Sequence, residues 1–236
     1  MNGYFQSQDG EDRCLIEHFF PQICNGKYLE VGAMDGIHHS NTYALYKYLG
    51  WKGVNLEVDP TNFEALSYNR KDDLANVHTA VCSDSSQTVH FAIGKDDLAT
   101  SGLWEYASES HKQQHWTGQT KYNTIPMKCT PLQSILDQIL GTPKKYFFDL
   151  AVFDTEGSEF SALLGIDYDR VGFGVIIIER NEDNKTNQKI RDLLGSKGYI
   201  ESTEQYECGY EKNMLFTHHN FDGIYASLHA LGNVKR

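Results

Sequence analysis

Apolar positions along the chain come in strand-length runs separated by amphipathic stretches, the alternation expected of βαβ units around a largely parallel sheet. Lys27–Gly32 (KYLEVG) reads as the opening strand. A helix over Asn41–Leu49 follows, with Ser40 or Asn41 as its cap and Gly50 as its stop. Gly53–Val58 (GVNLEV) is a second strand and Pro60–Arg70 a second helix, with proline in its first turn. Val77–Cys82 makes a third strand and Val89–Ile93 a short further one. Helical periodicity returns at Pro131–Leu140, between Thr130 and Gly141. Tyr146–Asp154 (YFFDLAVFD) and Gly174–Glu179 (GVIIIE) are almost continuously apolar, as central strands covered on both faces are. Helices are expected at Glu159–Leu164 and Thr186–Leu194, and strands near Tyr199–Tyr206 and Asn213–His218. Only Glu207–Lys212 joins the last two, which predicts an antiparallel hairpin.

One segment breaks the pattern. Lys95–Thr124 is polar and aromatic, carries Trp104, Tyr106, His111, His115, Trp116 and Tyr122, and has no period. Long irregular segments inside compact domains are usually functional or disordered. Residues 1–236 therefore read as one domain, with an insertion at about 95–124 forming a lid on the acceptor side.

Composition narrows the function classes. Hydrophobic residues make up 40% and aromatics 12%, enough for a packed core. Against 32 Asp+Glu stand 21 Lys+Arg, a net charge of −11, which argues against a nucleic-acid partner. No apolar run reaches bilayer length, and Met1–Gly10 lacks the basic and apolar regions of a secretory signal. No membrane partner and a cytoplasmic location are expected. The five cysteines (Cys14, Cys24, Cys82, Cys129, Cys208) are odd in number, scattered and never in a CxxC pair. Reduced thiols are expected, with neither a disulfide framework nor a zinc cluster.

Candidate chemistry begins at Glu30-Val31-Gly32-Ala33-Met34-Asp35-Gly36, which leaves the first strand and approaches a helix. Glycine there lets the backbone turn sharply and approach a ligand. Glu57 ends the second strand 25 residues after Gly32, where a carboxylate can accept ribose hydroxyls. The pair favours an adenosine-containing cofactor. A nicotinamide site normally needs G-x-G-x-x-G, and here the second glycine is missing. Glu30 would be unwelcome beside a pyrophosphate but suits an ammonium-bearing ligand, as in S-adenosylmethionine. Asp154, Glu156 and Glu159 follow the long apolar strand, where open α/β sheets bind ligands. Asp154 and Glu156 could orient a donor, take a proton or hold a divalent ion such as Mg²⁺; helix capping is the plainer alternative. His38 and His39 follow Gly36 closely enough to act as a base.

Several stretches carry a family resemblance: Ser7–Asp12, Tyr28–Gly36 with Ser40-Asn41-Thr42, Leu49–Gly53 leading to Glu57, Asp149–Phe160 and Leu163–Asp167. Together they resemble the FkbM-type methyltransferases, a branch of the class I S-adenosylmethionine-dependent enzymes. That resemblance implies an α/β, doubly wound, mostly parallel seven-stranded sheet with a C-terminal antiparallel hairpin. It implies S-adenosyl-L-methionine as cofactor and a hydroxyl of a sugar, glycan or related small molecule as methyl acceptor. Glu30, Gly32 and Gly36 would line the methionine end, Glu57 the ribose and Asp84 the adenine, with Ala33, Asp35, Asn41, Val58, Asp154 and Glu156 also at the donor. Asp154, His38 or His39 would act as base, and Trp104, His111, His115, Trp116 and Glu179 would meet the acceptor. Two rival readings stand beside it: a nicotinamide-dependent oxidoreductase on the same scaffold, and an inactive adenosyl-ligand-binding module.

Overall fold

The computed structural model describes residues 4–95, 97–141, 145–202 and 211–221. In chain order the elements are α1 (Glu11–Cys14, running into a π-helical turn at Leu15–Phe19), β1 (Lys27–Val31), α2 (Tyr43–Leu49), β2 (Lys52–Glu57) and α3 (Pro60–Asn69). Next come β3 (Ala75–His78), β4 (Ala80–Val81), β5 (Thr88–Ala92), β6 (Gly102–Leu103), α4 (Glu109–His115) and β7 (Ile125–Thr130). The chain continues through α5 (Leu132–Leu140), β8 (Tyr146–Phe153), α6 (Glu159–Leu164), β9 (Val171–Glu179), α7 (Asn184–Ser196), β10 (Tyr199–Glu201) and β11 (Asn213–His218).

Seven strands form the main sheet in the order β10-β11-β9-β8-β1-β2-β3. All neighbours are parallel except β11, which is antiparallel to both β9 and β10. The order reverses between β1 and β8, and ligands of open α/β sheets bind at such a switch point. Alternation along the strands divides the core into two layers. Leu29, Val31, Ala151 and Phe153 pack with Leu132, Leu136 and Leu163 of α5 and α6 on one face. Tyr28, Leu150 and Val152 pack with Leu15, Phe20, Leu45 and Trp51 on the other.

Local chemistry sets the element ends. Asp59 caps α3 by accepting from the Thr61 and Asn62 amides at 2.7 and 2.9 Å, with Pro60 at the first position. Gly50 ends α2 in the left-handed region at φ 68°. Val77–Cys82 is not one strand but two, broken at Thr79. Where β2 ends, the Thr79 amide closes on Glu57 O at 2.9 Å, and the chain then turns to pair with β7 instead. A second sheet results, ordered β4-β7-β5-β6, and β7 was not anticipated.

The described residues of the 95–124 segment include two regular elements that periodicity did not reveal, β6 and α4. Helix α4 (ESHKQQH) carries no apolar stripe, so periodicity misses it; the Ser108 hydroxyl supplies the start by accepting from the His111 amide at 2.9 Å. Trp116 is buried and stacks on Trp104, ring centroids 5.7 Å apart.

The cysteine reading is corrected as well. Cys82 and Cys129 are joined in a disulfide across the β4–β7 pair, with Cα atoms 5.6 Å apart. Cys14 is disulfide-bonded too, while Cys24 is free and exposed. A separation of 47 residues hides the Cys82–Cys129 pair from any rule based on close spacing. The premise for a reducing compartment therefore falls away. No helix among the described residues is long and apolar enough to cross a membrane. The expected strand through Tyr206, the Glu207–Lys212 connection and Cys208 lie wholly or partly outside the described residues.

Candidate active site

The ends of β1, β2 and β8 and the start of the second sheet enclose one cavity. Gly32 turns away from β1 at φ +89°, and its amide and that of Ala33 donate to Leu56 O at 2.9 and 3.1 Å. A Cβ at Gly32 would stand 1.7 Å from the Asp154 carbonyl oxygen, so only glycine lets the two strand ends meet. Met34 and His39 also occupy the left-handed region.

Glu57 fastens this turn to β2. Its carboxylate accepts from the amides of Met34 (2.7 Å), Val58 (2.9 Å) and Asp59 (2.7 Å). Burial nevertheless pushes its pKa up to about 7. Glu30 lines the cavity while also bracing the loop that follows β1. Its carboxylate is consumed by the loop before α2: the hydroxyls of Ser40 (3.1 Å) and Thr42 (2.6 Å) and the Asn41 amide (3.0 Å) all donate to it. Beneath it lies Arg70, fully buried, donating to Gly36 O (2.8 Å), Thr42 Oγ1 (2.7 Å) and Asp73 (2.9 Å), and also to the Tyr28 hydroxyl. Gly36 is thus a packing glycine: a Cβ there would meet Arg70 Cγ at 2.6 Å and Leu66 Cδ1 at 2.7 Å.

Across the cavity, ligand oxygens of Asp154, Glu156 and Glu179 all lie within 4.8 Å of one another. Asp154 opens to the cavity although protein walls surround it. Burial and the neighbouring acids, Glu159 first among them, raise its pKa. Burial and Asp154 act alike on Glu156, and Glu179 is raised by the same causes. Such a cluster can share protons, receive a cation or hold a divalent ion. Glu156 sits at φ +56°, a strained position that aims a side chain at a site. Its neighbour Glu159 is structural, accepting from the amides of Thr155 (2.9 Å) and Gly157 (3.0 Å) and from Asn181 Nδ2 (2.8 Å).

Of the residues expected from the sequence, Glu30, Gly32, Ala33, Asn41, Glu57, Val58, Asp154, Glu156 and Glu179 line the cavity, together with His38 and His39. The two histidine rings stack at 3.7 Å, and burial lowers the pKa of His39. Asp35, Gly36 and Asp84 do not line it. Asp35 closes its own turn by accepting from Ile37 and His38 amides, and Asp84 is exposed and accepts from the Ser86 amide at 2.8 Å. Trp104, His111, His115 and Trp116 stay outside the lining as well; His111 alone reaches toward it, with Nδ1 3.4 Å from Glu156. Lining residues missed from sequence include Gln8, Asn62, Phe91 and Leu103. The last two come from the unanticipated second sheet.

A parallel sheet with this switch point, a glycine turn after β1 and an acid closing β2 defines the class of Rossmann-like α/β folds. Within it, the Methyltransferase FkbM domain pattern matches residues 30–211, and the chain belongs to that family. No functionally curated protein matches it in sequence. Among solved structures it is similar to methyltransferase FkbM from Methylobacillus flagellatus KT, at 12% identity over 87% of this chain and 48% of that one, with TM-score 0.49. It spans about half of that protein's length. Aeropyrum pernix fibrillarin with natively bound S-adenosyl-L-methionine is similar at 8% identity over 91% and 75%, TM-score 0.46. The O-methyltransferase from Bacillus cereus in complex with SAH is similar at 11% over 90% and 81%, TM-score 0.43.

Proposed function

We propose that the chain binds S-adenosyl-L-methionine in this cavity and methylates a hydroxyl of a sugar, glycan or related small molecule. The charge of the lining carries this reading. Glu57, Asp154, Glu156 and Glu179 line the cavity, and no lysine or arginine does among the described residues. Such a surface attracts a cation and repels a pyrophosphate, which separates a sulfonium donor from a nicotinamide dinucleotide on the same scaffold. The side-chain-free approach at Gly32 fits a ligand laid close against the backbone.

When bound, the donor supplies a methyl group on positively charged sulfur. The chain's own residues do the rest. Glu57 holds the ribose, the Gly32–Ala33 turn and Asn41 border the methionine end, and the Asp154 group faces the cation. Alignment of reacting atoms in such sites contributes roughly 7–11 kcal/mol of the barrier. Asp154, with its raised pKa, accepts the hydroxyl proton near neutral pH; His38 and His39 are the other bases within the lining. The three clustered carboxylates could also share a divalent ion, and turnover after treatment with a chelator tests that directly.

Calorimetry decides the donor. Binding of S-adenosylmethionine and S-adenosylhomocysteine without binding of NAD supports the proposal, and the reverse pattern defeats it. Methyl release over a panel of sugars then separates an enzyme from a binding module. Asp154→Asn lowers turnover at saturating donor by roughly 10²–10⁴-fold if Asp154 is the base.

A further inference from the structure

Helix α7 opens on Asn184-Lys185-Thr186, the sole Asn-x-Ser/Thr triplet in the chain, with lysine rather than proline at its centre. That pattern is the acceptor signal for N-linked glycans when it stands on the surface of a chain that passes through an oxidising, secretory compartment. Both conditions hold here. Asn184 is exposed at the first position of α7, just past the connection that leaves β9. Backbone N–H groups of a first turn have no partner within their own helix, so this end frays more readily than any inner turn and can be presented in extended form.

The fold gives the Asn184 side chain no task of its own. Capping falls to Asp183, whose carboxylate accepts from the Lys185 amide at 3.0 Å and the Thr186 hydroxyl at 3.1 Å. Asn187, one turn on, is buried, donates to Asn181 O at 2.8 Å and accepts from the Asn181 amide at 2.9 Å. Among the described residues the Asn184 side chain makes no hydrogen bond. The cysteines supply the second, independent condition. Cys82 is joined to Cys129 and Cys14 is disulfide-bonded too, so Cys24 is the free thiol among the described cysteines. Disulfides persist in secretory and extracellular compartments and are rare where glutathione and thioredoxin keep thiols reduced. A glycan on Asn184 would also leave the candidate active site open. Asp183 and Thr186 border a separate hollow beside α6, and among the described residues nothing from α7 lines the donor cavity.

We infer that Asn184 is a modification site carrying an N-linked oligosaccharide, attached in an oxidising secretory compartment. The Asn184 amide nitrogen attacks the anomeric carbon of an oligosaccharide held on a lipid pyrophosphate, with an oligosaccharyltransferase of the host as catalyst. One C–N bond forms, the bond from that carbon to the pyrophosphate oxygen breaks, the amide gives up one proton, and the lipid pyrophosphate leaves. No electrons are exchanged, and the disulfides take no part in the step. Nothing in it needs the sulfonium donor or the acid cluster, so it stands or falls apart from the methyltransferase reading. It takes the maturing chain out of the reducing cytosol that the scattered cysteines suggested.

The full chain is isolated from the cells that make it, and its intact mass is read before and after treatment with peptide-N-glycosidase F. The expected result is a series of glycoforms that collapses onto the mass of the bare chain, with Asn184 converted to aspartate in the peptide that contains it. Variants of the full chain, secreted from a glycosylating host, then fix the position. Asn184→Gln and Thr186→Ala should abolish the glycan, whereas Thr186→Ser, which keeps the hydroxyl, should retain it. The melting temperatures of the first two should match that of the enzymatically deglycosylated parent, so loss of the glycan is not loss of the fold. Thiol titration of the denatured, unreduced glycoprotein should find Cys82 and Cys129 unreactive. A bare chain from its own cells, a glycan that persists in Asn184→Gln or Thr186→Ala, or a glycoprotein with both of those thiols free overturns the inference.

Discussion

Replacing Gly32 with alanine tests the junction on which the site is built. Two costs are unavoidable. The residue sits at φ +89°, where an L side chain costs about 1–2 kcal/mol. The added methyl would also lie 1.7 Å from the Asp154 carbonyl oxygen, a backbone atom that cannot rotate aside. To make room, β1 and β8 must part where the Asp154 amide donates to Val31 O at 3.0 Å, and the Gly32 amide must shift from Leu56 O at 2.9 Å. Overpacking of this kind costs about 1–3 kcal/mol, and each weakened hydrogen bond about 0.5–1.5 kcal/mol. The expected loss is at least about 3 kcal/mol, or a fall of roughly 6–12 °C in melting temperature for a domain of this size. Urea unfolding monitored by tryptophan fluorescence measures it, and S-adenosylhomocysteine calorimetry on the folded variant should show binding lost with it. A variant within 1 kcal/mol of the parent that binds this ligand equally well would refute the argument that strand contact and ligand approach share one glycine.

Three further outcomes are expected. Arg70→Met leaves Asp73, Glu30 and the Tyr28 hydroxyl without their shared buried cation, and chemical denaturation should show a loss of about 3–5 kcal/mol. The Cys82→Ser/Cys129→Ser double variant should lose about 2–4 kcal/mol, given the 47-residue separation; finding every thiol free in the denatured, unreduced protein would remove the basis of that figure. Because burial raises the pKa values of Glu57, Asp154, Glu156 and Glu179, the fold holds more protons than the unfolded chain, and stability should decline as pH rises from about 4 to about 8. A cationic donor favours the deprotonated groups, so its binding should tighten over the same interval with release of protons. A flat pH profile in calorimetry contradicts both halves.

The centre of the main sheet was legible because β8 and β9 pair on both sides and are buried along almost their whole length. Long apolar runs such as Phe147–Phe153 and Val175–Ile178 have no other stable destination. The second sheet was not. Its strands are short, β7 (IPMKCT) is largely exposed, and β4 is separated from β3 only by Thr79. Nothing in a window of sequence says that a strand changes partners in the middle; that depends on where β2 stops. Helix α4 escaped for the opposite reason, since it buries no residue of its own and is held by its Ser108 cap and by the packed Trp104–Trp116 pair beside it. The Cys82–Cys129 pair depends on the same sheet and was lost with it.

At the site, position was easier to read than employment. Spacing along β1 places Glu30 at the ligand end of the strand, and it does line the cavity. Yet its carboxylate already accepts from the Ser40 and Thr42 hydroxyls and the Asn41 amide, so the Ser-Asn-Thr run is the partner of Glu30 as much as the start of α2. Glu159 repeats the pattern, an acid at the start of α6 engaged in tying the loop that precedes it. Asp154, Glu156 and Glu179 differ because two strands and a strained turn bring three carboxylates together, with His111 Nδ1 3.4 Å from Glu156. Carboxylates that a fold satisfies internally shape the pocket, whereas those it leaves facing one another need a cation or a proton from outside. That distinction requires the contacts of β8 with β9 and with β1, and β1 lies more than a hundred residues away along the chain.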